Sequence, residues 1–141
     1  MATETSKKPC ILVAEGDPDQ RESLLDMMGL CCYEMIQVKD GNEAIEKLHD
    51  PEKVFSLVML DVNLPEKDGQ KVLSVVHEDE KLKDVPVIML YPYENEDVAK
   101  SCMEHGANEM IMKPVRMYDA KTWIKYVRKG DCGKKPESKM Q

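Results

Sequence analysis

Asp61, Glu15, Asp17 and Lys113 are the residues of this chain whose types and placement could do chemistry. Asp61 ends a run of mostly apolar residues, Phe55 to Leu60, relieved only by Ser56; a loop with Asn63, Pro65 and Gly69 follows. Such a run reads as a strand buried on both faces. An acid at its carboxyl end sits where open α/β sheets place their chemistry. Glu15-Gly16-Asp17 follows an earlier apolar run, and Lys113 follows a later one. Acids gathered beside a lysine form a toolkit for phosphoryl transfer: a carboxylate attacks phosphorus, a divalent cation shields the oxygens, and an ammonium takes up the remaining charge. Taken alone, Asp61 fits equally well a carboxylate that caps a strand or accepts backbone N–H groups.

The elements that must position these residues follow from apolar periodicity. Cys10 to Ala14 reads as a buried strand, and Asp17-Pro18 as a helix start with Asp17 as N-cap and Pro18 at the first helical position. That helix carries Leu24, Leu25 and Met28 on one side and stops near Gly29. Tyr33 to Val38 alternates as a second strand, and Gly41 to Leu48 forms a short helix showing Ala44, Ile45 and Leu48 to the core. After the strand ending at Asp61, Val72, Leu73 and Val76 recur at helical spacing. Pro86 introduces a strand over Val87 to Leu90, Glu94 to His105 reads as a polar helix, and Gly106 reads as its left-handed cap. Met110 to Met112 is a fifth strand stopped by Lys113-Pro114; a last helix, about Tyr118 to Arg128, offers Ala120, Trp123, Ile124 and Val127 to the core. Strand and helix alternate five times, which predicts a parallel sheet with helices on both faces, in the flavodoxin-like α/β order 2-1-3-4-5. In that order Glu15, Gly16, Asp17, Asp61, Tyr91 and Lys113 converge on one crevice.

Composition bounds the rest. With 33% charged and 42% hydrophobic residues, the chain reads as one soluble globular domain, residues 9–128, with a loose N-terminus over 1–8 and a basic tail over 129–141. No apolar run approaches membrane length, and the first residues lack the apolar stretch of a secretion signal. The net charge of -7 argues against nucleic-acid binding by the whole surface. Cys10, Cys31, Cys32, Cys102 and Cys132 are odd in number and lack paired metal spacing, so they read as reduced thiols. Eleven Met against one Phe and one Trp imply a core filled by flexible thioethers. There is no phosphate-binding glycine loop, Gly-x-Ser-x-Gly elbow or His-Glu-x-x-His. His49, His77 and His105 adjoin no nucleophile, and Glu15-Gly16-Asp17 has the wrong charge for a flavin phosphate, so an independent enzyme is not expected.

The chain resembles the receiver domains of two-component response regulators, the CheY-like superfamily, across about residues 9–128. The resemblance rests on Ile11-Leu-Val-Ala-Glu15-Gly-Asp-Pro18, Met59-Leu-Asp61-Val-Asn-Leu-Pro65 with Asp68-Gly69, Pro86-Val-Ile-Met-Leu90, and Gly106-Ala107 leading to Lys113-Pro114. Cys32-Tyr33-Glu34, the segment Leu60 to Pro65, and Lys113-Pro114-Val115-Arg116 with Trp123 look most like plant response regulators. The DNA-binding domain carried by some of those is not seen here.

The resemblance implies that Asp61 occupies the phosphoacceptor position and Lys113 that of the lysine that bridges to phosphate, with a cis bond before Pro114. It places Glu15 on the first of two acids, and the carbonyl of Asn63 at a position used on Mg²⁺. The second acid, a direct magnesium ligand in the family, is Gly16, which offers no carboxylate to an ion that demands octahedral oxygens. Asp17 is a possible substitute, in competition with its helix cap. Where the family has Ser or Thr after strand four, this chain has Tyr91, whose hydroxyl stands about 4 Å farther from the backbone. Its ring is expected to shield or fill the pocket. Met110 occupies the place of the switch aromatic.

Two readings follow. In the first, a working receiver takes phosphate on Asp61 from a histidine phosphotransfer protein or histidine kinase, and the surface of the fourth helix, fifth strand and fifth helix responds. In the second, which the changes at Gly16, Tyr91 and Met110 favour, a pseudo-receiver keeps the fold as an interaction module while Mg²⁺ binding and phosphorylation are weak or lost. Either acts in the cytoplasm, the nucleus or both. Lys125, Arg128, Lys129, Lys134 and Lys135 form a basic cluster that reads first as solvated, and second as an aid to docking or nuclear entry.

Overall fold

The computed structural model describes residues 9–29, 34–93 and 95–128. Its elements are β1 (Pro9–Ala14), α1 (Pro18–Met27), β2 (Glu34–Val38), α2 (Gly41–Leu48), β3 (Val54–Asp61), α3 (Gly69–Glu78), β4 (Val87–Tyr91), α4 (Glu96–Glu104), β5 (Glu109–Met112) and α5 (Ala120–Arg128), with a 3₁₀ turn over Met117–Asp119 before α5. The strands form one sheet in the order β2-β1-β3-β4-β5, and every neighbouring pair is parallel. The α/β order expected from the sequence is the one observed.

Strand pleating divides the apolar side chains between two faces, because successive residues point to opposite sides. Leu12, Ala14, Val58, Leu60 and Met89 join Ala44 and Leu48 of α2, Val72, Leu73 and Val76 of α3, and Cys102 of α4. Ile11, Val13, Leu57, Met59, Ile88 and Leu90 join Leu24 and Met28 from the α1 side, and Trp123 and Val127 of α5. With both faces covered, β1, β3 and β4 read as unbroken apolar runs, which is why they were visible in the sequence. Truncating a central member such as Leu57 to Ala is worth about 2–5 kcal/mol.

Three Asp side chains set the helix starts at the carboxyl end of the sheet. Asp17 accepts the N–H groups of Asp19 and Gln20, Asp40 that of Glu43, and Asp68 that of Lys71. Each such cap contributes about 1 kcal/mol. The α3 start also leans directly on the site strand. A Cβ at Gly69 would lie 2.4 Å from the Asp61 carbonyl oxygen, so only glycine permits this approach. Gly106 follows α4 at φ +107°, the positive-φ stop expected of it.

Several details differ from the expectations. The fourth helix begins at Glu96 rather than Glu94, with Asn95 making no side-chain cap bond. The last helix is preceded by a 3₁₀ turn that contains Tyr118. Ile124 is exposed, not in the core. α5 is instead oriented through its Trp123–Val127 stripe and a clamp on β5. Tyr126 donates its hydroxyl to Glu109 at 2.8 Å, and Lys125 pairs with the same carboxylate at 2.9 Å. Burial, then the Glu109 bond and charge, pushes the Tyr126 phenol up to about 12. The methionines are divided: Met28, Met59 and Met89 fill the core, while Met103, Met112 and Met117 are exposed. Cys10 and Cys102 are buried, and burial raises both thiols above their usual range. Cys31, Cys32, Cys132, Tyr33, the N-terminus over 1–8 and the basic tail over 129–141 lie outside the described residues. No helix among the described residues is long and apolar enough to cross a membrane.

Candidate functional site

The site is assembled by strand ends that carry the sheet's hydrogen bonding one residue further. The Glu15 N–H donates to the Val38 carbonyl at 3.2 Å, that of Val62 to Leu90 at 2.9 Å, and that of Lys113 to Tyr91 at 2.8 Å. These bonds fix the backbone on either side of three chemical groups and bring them together. The Lys113 Nζ lies 2.5 Å from Asp61 Oδ2 and 3.1 Å from Glu15 Oε1. Both carboxylates are buried, Asp61 at 2% and Glu15 at 3% exposure. The peptide bond between Lys113 and Pro114 is cis, as the resemblance implies.

The remaining two carboxylate oxygens are met by backbone. Asn63 donates its N–H to Asp61 Oδ1 at 2.9 Å, and Asp17 donates its N–H to Glu15 Oε2 at 3.1 Å. Each of the four oxygens therefore has a protein donor. The Arg21 guanidinium reaches back from α1 to the Glu15 carbonyl at 2.7 Å and holds the loop against that helix. Two acids face one ammonium, so the cluster is net negative only when both are ionised. Burial first, and then the Asp61 charge, pushes Glu15 up to about 7. Burial works to lower Lys113, but its bond to and attraction by Asp61, followed by Glu15, leave it raised.

The other expected site residues are placed differently. Gly16 is half-buried beside Pro65; a Cβ on it would stand 3.0 Å from the Pro65 Cδ and 3.3 Å from the Lys39 carbonyl oxygen. Asp17 is exposed, and its Oδ1 is bonded to the Asp19 N–H at 2.8 Å and the Gln20 N–H at 3.2 Å. The helix cap expected of Asp17 is therefore made through Oδ1. Asn63 is exposed and touches the cluster through its N–H. Tyr91 is half-buried and packs, like Val98 and Met110, against the cluster containing Val87, Met89 and Cys102. Its ring is therefore turned to the α2–α3–α4 side. Among the described residues no group of three or more His, Cys, Asp or Glu is arranged to hold a metal ion.

Three features were not foreseen from the sequence. Arg21 and the Pro65 ring are local neighbours whose roles depend on loop geometry. The third is a cavity of about 470 Å³ beside the acid pair, bounded by Leu24 and Met27, by Pro92 and Tyr93, and by Val115, with Glu15 and Lys113 in its lining. Its only signal in the sequence is the apolar stripe of α1 continuing past the core as Met27.

Comparison with known proteins agrees with the geometry. Residues 11–125 match the model of the response regulator receiver domain. The chain is 30% identical over 117 residues to a two-component response regulator-like protein, APRR9, of Arabidopsis thaliana, covering 83% of this chain and 25% of that protein. It thus spans about a quarter or less of the curated relatives it matches. Among solved structures, the bacteriophytochrome response regulator RtBRR superposes with a TM-score of 0.72 at 31% identity, covering 86% of this chain and 78% of that one. The receiver domain of the sensor histidine kinase PA1611 from Pseudomonas aeruginosa PAO1, which has a magnesium ion coordinated in its active site cleft, superposes with a TM-score of 0.73 at 20% identity, covering 89% of this chain and all (100%) of that one. This last likeness speaks to the fold alone.

Proposed function

We propose that this chain, which belongs to the response regulator receiver domain family, is a pseudo-receiver: a signalling module that acts by protein–protein contact, with Asp61 phosphorylated weakly or not at all. Receiver domains serve two-component signalling and interact with histidine kinases or phosphotransfer proteins; they are signalling modules rather than independent enzymes. Residues 9–128 act as the receiver unit, in the cytoplasm, the nucleus or both.

The observation that carries this reading is the bonding of the acid pair. Every carboxylate oxygen of Asp61 and Glu15 already accepts a hydrogen bond from the protein. Magnesium requires near-octahedral oxygen ligands at about 2.0–2.1 Å. Gly16 supplies none, the Asp17 carboxylate is held at the α1 start, and the residues present do not fit a resident magnesium ion. Without that ion, charge on a transferring phosphoryl group is left to Lys113 alone. The expected phosphoryl contact at Tyr91 is also weakened, since its ring packs away toward α4.

Partners are expected on the face of α4, β5 and α5. Met103 of α4, Met112 of β5 and Ile124 of α5 are large apolar side chains left exposed there. A histidine phosphotransfer protein, a histidine kinase or another signalling protein would meet this surface. The working-receiver reading keeps one observation in its favour: Asp61, Glu15 and Lys113 converge within direct bonding distance. The two readings separate in one assay. Acetyl phosphate or a phosphorylated phosphotransfer protein, with Mg²⁺, should leave Asp61 mostly unmodified. Stoichiometric labelling that disappears in Asp61→Ala establishes the working receiver instead.

A further inference from the structure

We infer that Lys113 is the resident counter-ion of this pocket: its ammonium takes the electrostatic place of a divalent cation between Asp61 and Glu15, so the acidic site is complete without metal. This deepens the pseudo-receiver reading and rests on it.

Two carboxylates buried to within a few per cent of full enclosure need compensation, because an unpaired buried charge is strongly unfavourable. An ammonium has three donors. Lys113 spends one on Asp61 and one on Glu15, so it bridges the pair rather than serving one partner. Backbone N–H groups of Asn63 and Asp17 close the two oxygens it does not reach. The Lys113 N–H bond to the Tyr91 carbonyl holds the lysine backbone at the carboxyl end of β5, so the ammonium is delivered by the sheet itself. On the side of Gly16, where another ligand would have to approach, a Cβ would stand 3.0 Å from the Pro65 Cδ and 3.3 Å from the Lys39 carbonyl oxygen, tighter than ordinary van der Waals contact. A cation entering between the carboxylates would have to expel the ammonium and break two charge-assisted bonds. Lysine and divalent cation therefore compete for one place.

Competition predicts that a cation requirement appears when the lysine is removed. The test is thermal unfolding of the full chain and of Lys113→Met, each in chelator and in about 10 mM MgCl₂ at matched ionic strength. The parent midpoint is expected to be the same in both buffers. Lys113→Met should melt on the order of 10 °C lower in chelator and recover about half of that loss or more with MgCl₂. Equal stabilisation of parent and variant by Mg²⁺ overturns the inference, as does a variant that melts with the parent. Should Lys113→Met fail to fold, the amide resonances of Asn63 and Asp17 in the parent decide the matter. No shift over the same Mg²⁺ range supports the built-in counter-ion, and a saturating shift contradicts it. Neither readout involves phosphate. Labelling of Asp61 would end the pseudo-receiver reading, whereas a magnesium response shared by parent and variant would end only the role given to Lys113.

Discussion

The two sides of the crevice are built on different principles. On the β1–β3–β5 side, Glu15, Asp61 and Lys113 are buried, charged and bonded at every carboxylate oxygen. On the β4–α4 side, Tyr91 contributes a ring to apolar packing, Met110 packs against the same cluster, and α4 begins without a side-chain cap. The first side is fixed by directional charge and tolerates almost no exchange of residue type. The second is fixed by volume, which many residues can supply. The charged corner thus holds the carboxylates, while the β4 corner serves the sheet as a packing surface.

That contrast can be broken experimentally. The largest effect should come from the charged side: Lys113→Met should lower the unfolding free energy by about 3–5 kcal/mol in denaturant titrations without metal, since it strands two buried acids. On the packing side, Tyr91→Thr should cost about 1–2 kcal/mol, the value of a partly buried ring. A Tyr91→Thr loss as large as that of Lys113→Met would contradict the division.

Acid–base behaviour gives an effect of intermediate size. Glu15 holds its proton up to about 7 in the folded state, against 4.5 for an unperturbed glutamate, so folding takes up a proton between those values. The stability associated with Glu15 is complete below about 4.5 and declines as pH rises to about 7. Glu15→Gln abolishes that titration; the stability of the variant relative to the parent should climb across this window and level off above it. A difference that is flat with pH would show that Glu15 titrates normally. The smallest effect belongs to Tyr91→Phe, expected to change stability by less than about 0.5 kcal/mol because burial of the ring, not a bond of the hydroxyl, holds that residue.

Much of this was legible in the chain, for identifiable reasons. The covered strands run apolar and stop at Glu15, Asp61 and Lys113, and Asp-Pro and Asp-Gly pairs stand at three of the helix starts, so order and topology could be read directly. Ile124 was misassigned because residues 120, 123, 124 and 127 share one helical stripe; the Glu109 clamp on Lys125 and Tyr126 turns that stripe so that Trp123 and Val127 enter the core and Ile124 leaves it. Of the two roles the sequence offers Asp17, the helix cap is legible because Asp-Pro places its donors next to it in the chain. The Tyr91 ring follows the β4 alternation onto the side of Val87 and Met89, but a strand read only to Leu90 leaves Tyr91 in the crevice beyond it. Nor could the closure of the acid pair, because half of its bonds come from the backbone of Asn63 and Asp17 rather than from any side chain.

The most direct measurement compares Asp61 phosphorylation by acetyl phosphate with Mg²⁺ in the parent and in Gly16→Asp with Tyr91→Thr. The new aspartate must shift the Pro65 ring by a few tenths of an ångström, so only partial labelling of the double variant is expected, beside a parent that stays essentially unlabelled. Stoichiometric, Mg²⁺-dependent labelling of the parent on Asp61 would contradict the account.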